Sequence, residues 1–524
     1  MSRLLACRGV ERKEDAFPGL ARLPLPSSLA GLDETARLVA KAICGQKKIV
    51  VVADYDCDGA AGCALLLRFL RGVGASADFV VPDREKEGYG LSPSVAERTA
   101  RLGARLLITV DNGISSMAGV EAARDLGMDV IITDHHLPGD KLPLASAIAN
   151  PKLDPSFPAP FLSGTGVAFY LAARVREILG SGERPSTWSD LAALATLADL
   201  VPLDIPNRAI VRHGLARIRA RQSTQGIMAL IAQAGLDPEK LASQDLGFVL
   251  APRINAAGRI ADASVGIRLL SEDDPLIAAG LAQKLHALNQ ERQALTKEAL
   301  LEAMEGLPQA LGQMSICAHG PWHSGVVGLV ASRLAERHSM AAAVFGALGE
   351  TGVKGSVRSV PGVHARDVLA LVDSRHPGMI LAFGGHAGAA GLTLSPQGAK
   401  EFPQAFDAAI QTLYPAFSPD PCLETDGDLP LEHLTVETAR LLAGFEWGHG
   451  FPPPLFMGEF AVDNLTPLGN GAHARLVLRS GKARLPGVCF GHGIDLPRAG
   501  VFAFALEEDR ALRQPRIRLV AAEG

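Results

Sequence analysis

The sequence predicts an α/β chain of several domains: a parallel-sheet domain, a long connecting helix, a second, smaller α/β domain and a small C-terminal β-barrel. Three observations predict it. From Lys48 short β-branched runs alternate with amphipathic stretches every 20 to 30 residues or so, the rhythm of βα units around a parallel sheet. Between Asp274 and Glu305 a single proline stands near the start, and Leu276, Leu281, Leu285, Leu288, Leu295, Leu300 and Leu301 come after it at near-helical intervals. From Cys422 onward short alternating runs are separated by turn residues, as in a small barrel.

The first domain reads as five buried strands, Lys48–Ala53, Asp78–Val81, Leu106–Val110, Val130–Thr133 and Ala147–Ala149. Each is an apolar run, as a sheet covered on both faces requires. Helices are predicted at Gly62–Arg71, Pro93–Leu102 and Ser116–Leu126, the last preceded by a Ser115/Ser116 pair able to cap it. Two more, Thr165–Leu179 and Ser189–Leu197, extend the domain. The second α/β pattern runs from MSICAHG through a helix at Gly325–Arg337 to MAAAVFG, GVKGSVRSV and LAFGGHAGAAGLTL. The expected boundaries are 1–45 for an N-terminal segment, 46–273, 274–306, 307–415 and 420–524.

Lys and Arg number 51 against 56 Asp and Glu, a net charge of −5 over 524 residues of which 48% are apolar. That balance excludes disorder and fibrous repeats, and the length suggests several domains, each able to bury its own core. The mild negative charge argues against nonspecific coating of nucleic acid, while a local basic groove remains open. Seven cysteines, an odd number without a CxxC pair, fit neither a disulfide framework nor a structural zinc site. The longest uncharged stretch, residues 155–173, is broken by Pro155, Pro158, Pro160, Gly164 and Gly166, and the first residues carry only a short apolar run. No membrane span and no signal peptide are expected, and the expected location is the cytoplasm.

The chemistry sits just after strands. VVVADYDCDG delivers Asp54, Asp56 and Asp58, ITVDNG delivers Asp111, and IITDHH delivers Asp134, His135 and His136. Ligands of an open parallel sheet bind outside the carboxyl ends of its strands, so these groups converge on one edge. Each motif alone has a plainer reading: Asp-x-Asp as a turn and helix cap, Asp-Asn-Gly as a turn, paired histidines as a loop accident. Their position after three successive strands makes coincidence a poor account. So many carboxylates would repel unless divalent cations offset them. Carboxylate and imidazole donors without thiolate favour Mn²⁺ or Mg²⁺ over zinc, and an acid shared by two ions suits displacement at phosphorus.

At this point the chain resembles the DHH phosphoesterase superfamily and, within it, the RecJ single-stranded-DNA exonucleases. DYDCDG, VPDREKEGYGL, ITVDNGIS, TDHH, GTGVAFYL, ATLADLVPL, APRINAAGR, LNQERQ, WHSGVVGLVASRL, GSVRS and FGGHAGAAG occur in that family's order. The resemblance implies a DHH catalytic domain, a DHH-associated substrate-binding domain and an OB-type barrel. It adds Asp199 as a metal ligand. One ion would be held by Asp56 and Asp111 with help from Asp54, where related phosphoesterases with other substrates have histidine. The other would be held by Asp58, Asp111, His135 and Asp199. Asp134 would orient the histidines, and His136 would face the scissile phosphate. The resemblance also assigns Arg84, Ser356 and Arg358 to a 5′-terminal phosphate, Arg253 and Arg259 to backbone phosphates, and His386 to a glycine-rich stretch facing the metals across a cleft.

The activity implied by the resemblance is that of a two-metal, 5′-to-3′ exonuclease of single-stranded DNA in recombination and repair, acting as a monomer. Its implied partners are single-strand-binding protein and a RecQ-type helicase. On the barrel Arg475, Arg479, Lys482 and Arg484 are candidate strand contacts, with a solvated hairpin face as the plainer reading. Two rival functions stand beside this. DxDG after a strand also resembles the loop of haloacid-dehalogenase phosphatases, with Asp56 as a covalent nucleophile. A non-catalytic replication or repair scaffold of the same fold is the other.

Overall fold

Five apolar runs form the first sheet: β1 (Ile49–Ala53), β2 (Ala77–Val80), β3 (Leu106–Val110), β4 (Asp129–Thr133) and β5 (Ala147–Ala149). All are parallel, in the order β2-β1-β3-β4-β5. Every residue of β1 and β3 is buried, which is why these strands read as unbroken apolar runs. Ala53, Val110, Thr133 and Ala149 pair in one row across four strands, so the residues after them leave the sheet side by side. The order reverses between β1 and β3, and that switch point is where an open α/β sheet leaves a crevice. A computed structural model provides this description for all residues except 85, 308–312, 350–351, 420–422, 469–472, 491–495, 510–511 and 524.

Two local expectations need correction. The helix after β1 spans Cys57–Gly72 and does not wait for Gly62, because the Asp56 carboxylate accepts the N–H groups of Asp58 and Gly59 and starts the first turn early. The helix Met117–Asp125 comes after Ser116 as expected, yet that serine makes no side-chain cap bond. Helices Gly164–Leu179 and Ser189–Ala198 stand where they are predicted.

The chain divides into two compact units, and the helix Pro275–Glu305 contributes to both, its residues up to Gln283 to the first and those from Lys284 to the second. The second unit holds a mixed sheet of β6 (Ser315–His319), β7 (Ala341–Gly349), β8 (Gly352–Arg358), β9 (Ile380–Gly385) and β10 (Ala389–Leu394), in the order β6-β7-β8-β10-β9. Among these strands only β6 and β7 pair in parallel. Val357, Val368, Leu369, Phe402 and Phe406 are central to its core.

The first unit also contains the C-terminal barrel, β11 (Phe456–Leu468), β12 (His473–Ser480), β13 (Ala483–Phe490), β14 (Ala499–Asp509) and β15 (Gln514–Glu523). It closes in the order β11-β12-β13-β15-β14, with β13 and β15 parallel and the other pairs antiparallel, an OB-type arrangement. Phe456, Phe460, Phe502 and Phe504 fill it. Cys422, where the sequence places the start of this region, lies outside the described residues. Among the described residues no helix is long and apolar enough to cross a membrane.

Candidate metal centre

The row of strand ends places the first acids. Asp54 comes directly after β1 and folds onto its own loop, its Oδ1 accepting Tyr55 N–H at 2.7 Å. Asp56 caps the next helix through Oδ1, so it does the local work of a cap as well as pointing an oxygen at the crevice. Asp58 lies in the first helical turn, where its two oxygens accept N–H bonds from Gly164 (2.6 Å) and Thr165 (2.8 Å) at the start of helix Gly164–Leu179. A helix N-terminus is a favourable neighbour for an anion.

Asp111 comes directly after β3 with φ 62°, a left-handed conformation that aspartate tolerates better than most residues. Position 164 must be glycine for the two elements to meet: a Cβ there would lie 2.5 Å from Asp111 Cβ and 2.8 Å from its Cα. Asn112 pins the ends of β1 and β3 together, its Nδ2 donating to the carbonyls of Val52 (3.0 Å) and Val110 (2.8 Å).

These elements bring all six predicted ligands into one place. Ligand atoms lie within 4.8 Å of one another in three groups: Asp54, Asp56 and Asp111; Asp58, His135 and Asp199; and Asp111, His135 and His136. His135 Nε2 is 3.0 Å from Asp111 Oδ1, 3.5 Å from Asp199 Oδ2 and 3.9 Å from Asp58 Oδ2. Asp199 comes from the C-terminal cap of helix Ser189–Ala198. Asp134 is buried beneath the histidines. Its Oδ1 accepts the N–H groups of His135 (2.7 Å) and His136 (3.1 Å) and bonds His136 Nδ1 at 2.7 Å, while Oδ2 accepts Ile114 N–H at 2.9 Å. One carboxylate thus holds both histidine backbones, the His136 ring and the loop at Ile114.

Burial, reinforced by the neighbouring carboxylates, drives the Asp54, Asp56 and Asp111 carboxyls above their ordinary range and pushes Asp199 up to about 9. Burial also lowers His135. It works against a charged His136 too, but the Asp134 partner outweighs it and raises that imidazole to about 9. A cluster that cannot carry all its charges unaided fits a bound dication. A second sign agrees. Asp111 Oδ1 and His135 Nε2 are buried and face each other without a hydrogen-bond partner, which fits a pair of metal-ligating atoms. Oxygen and imidazole donors suit Mn²⁺ or Mg²⁺. Mn²⁺ should therefore raise the melting temperature, by the equivalent of about 2.7 kcal/mol at a hundredfold excess over Kd. Differential scanning fluorimetry with and without EDTA measures it, and an unchanged transition would speak against a cation site.

Three residues of the centre escape sequence reasoning. Tyr89 donates its hydroxyl to the Asp111 carbonyl at 3.0 Å and lies 3.5 Å from His136 Nε2. Asn255 accepts Cys57 N–H at 2.7 Å, holding the helix start that carries Asp56 and Asp58. Gly164 is the third. Tyr89 and Asn255 lie within the motifs EGYG and PRINAAGR, but no spacing signals their contacts.

The proposed nucleic-acid contacts are more dispersed. Arg84 is exposed and stacks over Tyr55 at 5.1 Å, and Tyr55 meets Tyr89 edge-on, so this arginine borders the metal cluster. Arg253 is partly buried and donates to the Val249 carbonyl. Arg259, Ser356, Arg358 and His386 belong to the second unit. There Arg358 Nη1 donates to Ser356 Oγ at 2.8 Å, and Ala389 pairs with Arg358 across β8 and β10. His386 is exposed in the tight β9–β10 turn, closed by its N–H to Ala389 O at 2.9 Å, so it shares that end of the sheet with Arg358. On the barrel, Arg479 and Arg484 both pair with Asp463, at 2.9 and 3.1 Å, which matches the plainer reading of that cluster.

Comparison with known proteins adds three sequence-family matches: the N-terminal domain of the DHH family over residues 48–198, the DHHA1 domain over 311–412 and the RecJ OB domain over 425–519. The single-stranded-DNA-specific exonuclease RecJ of Escherichia coli is 43% identical over 491 residues, covering 88% of this chain and 83% of that protein. The protein of the same name from Haemophilus influenzae is 38% identical over 510 residues, covering 94% and 89%. The crystal structure of RecJ from Thermus thermophilus in complex with Mn²⁺ superposes with a TM-score of 0.84 at 31% identity, covering all of this chain and 75% of that one.

Proposed function

The chain belongs to the RecJ family of single-stranded-DNA-specific exonucleases, and from that premise we infer that it hydrolyses the phosphodiester bonds of single-stranded DNA with Mn²⁺ or Mg²⁺. The observation that carries this is the sharing of Asp111 and His135 among the groups of ligand atoms, which leaves room for two neighbouring ions. Asp54, Asp56 and Asp111 would hold one, and Asp58, Asp111, His135 and Asp199 the other. Bound ions of this kind make water a nucleophile near neutral pH and offset charge on the phosphate.

The chain's own groups do the rest. Asp134 occupies Nδ1 of His136, which leaves Nε2 to address the scissile phosphate beside Tyr89. Arg84 would contact a 5′-terminal phosphate, and in the second unit Ser356 and Arg358 would offer phosphate oxygens a hydroxyl and a planar guanidinium. Arg253 and Arg259 would take backbone phosphates and His386 would border the path of the strand. On this reading degradation runs 5′ to 3′ during recombination and repair. Single-strand-binding protein would present the substrate, and a RecQ-type helicase would generate it.

The test uses DNA labelled at either end, single-stranded or duplex, with one end blocked. Short labelled products released from the 5′ end of the single strand are expected, with EDTA stopping the reaction and Mn²⁺ restoring it. Release from the 3′ end would overturn the polarity, and digestion in EDTA would overturn the metal mechanism.

A further inference from the structure

Asp199 stands at an awkward place in the backbone. It ends helix Ser189–Ala198, and Leu200 directly after it has φ 55° with its side chain exposed, a conformation a leucine adopts only when its surroundings impose it. The chain then runs to Asp204, which caps the next helix by accepting Asn207 N–H at 2.9 Å. Residues 200–203 in between are held in part by a segment more than two hundred residues away, the linker leading into the barrel.

That linker turns tightly between Gly448 and Phe451, with Gly448 N–H bonded to Phe451 O at 2.9 Å and Phe451 N–H to Gly448 O at 3.1 Å. The His449 carbonyl accepts Leu203 N–H at 2.7 Å. The backbones approach so closely that a Cβ at Gly450 would lie 3.2 Å from Pro202 Cβ and 3.3 Å from its Cα, and Gly450 itself has φ 70°. The turn has anchors outside the barrel: Ser243 Oγ donates to the Trp447 carbonyl at 2.7 Å, Arg212 pairs with the buried Glu446 at 3.1 Å, and Arg208 lies over Phe451 at 4.2 Å.

We propose that the 445–451 turn is a positioning element for the Asp199 side of the metal centre, so that the linker of the barrel sets the affinity of one ion and not of the other. The physical logic is that of any outer support of a ligand. Asp54 and Asp111 directly follow strand ends and Asp56 is fixed by its helix cap, whereas Asp199 hangs on a strained loop whose geometry is completed from outside. The inference rests on Asp199 being a ligand, as proposed above.

The test is Mn²⁺ binding to the full chain, read from the electron paramagnetic resonance of free Mn²⁺, in Gly450→Val and in the milder Ser243→Ala. Gly235→Val is the control, since Gly235 shares the left-handed backbone with φ 68° but has nothing within 4 Å of an added Cβ. Gly450→Val should weaken one class of site by roughly 10- to 100-fold and leave the other unchanged. At low Mn²⁺ its kcat should fall with KM for DNA unaltered, and excess Mn²⁺ should restore it. Ser243→Ala should shift the same site in the same direction by less, and decides the matter if Gly450→Val does not fold. Unchanged isotherms in a folded variant would overturn the proposal. Asp199→Asn, run alongside, separates the two ideas: loss of one site there with none in the linker variants refutes only the linker's role, whereas two intact sites in Asp199→Asn refute Asp199 as a ligand.

Discussion

Asp111→Asn should lower the rate of hydrolysis by at least about a thousandfold while leaving the fold intact. Asparagine is the informative choice because residue 111 has φ 62°, which asparagine tolerates and alanine would occupy at a cost of about 1–2 kcal/mol. It also retains the shape against which Gly164 packs. The change is one of charge. Asp111 Oδ1 faces His135 Nε2 at 3.0 Å without a hydrogen bond, and its carboxyl is raised by burial and by Asp58, Asp56 and Asp54. In the metal-free protein the substitution removes a repulsive group, so the apo melting temperature should hold or rise, while the stabilisation by Mn²⁺ should shrink. Full nuclease activity in a folded Asp111→Asn variant would rule out the shared-ligand role.

His136→Ala should cost about 10²- to 10³-fold in kcat, the usual loss of a group aimed at developing phosphate charge. Its Nδ1 is committed to Asp134 at 2.7 Å, and Nε2 stands on the open side of the site next to the Tyr89 hydroxyl. The change strips one partner from a buried carboxylate that keeps N–H bonds from Ile114 and His135, so a stability loss of about 1–3 kcal/mol is expected. Mn²⁺ binding through Asp54, Asp56 and Asp111 should survive. Steady-state kinetics with an isotherm for Mn²⁺ distinguishes the outcomes: if binding is lost together with activity, His136 acts as a ligand and not on the phosphate.

Part of this centre is legible in the chain because buried parallel strands must be apolar throughout. Their ends are therefore visible as the points where Asp54, Asp111 and Asp134 interrupt valine and isoleucine runs, and pairing of the terminal residues aligns those points. Asp199 is different. An acid closing an apolar helix has the same local appearance as a cap; only the family motif ATLADLVPL marks it, and the fold brings it to 3.5 Å from His135. The early start of the helix at Cys57 was hidden for a related reason: Asp56 serves as cap and candidate ligand at once.

The order of domains, the strands of the first sheet and the acids at their ends are legible in the chain alone, because these depend on hydrophobic period and on residues adjacent in the chain. The closure of the barrel through a parallel β13–β15 pair, the mixed second sheet, and the contacts of Tyr89, Asn255 and the 445–451 turn arise only from packing in three dimensions. Those contacts join segments that carry no shared pattern. They exist because helices packed on a sheet bring particular backbone groups within hydrogen-bond reach, and no local propensity encodes such a distance.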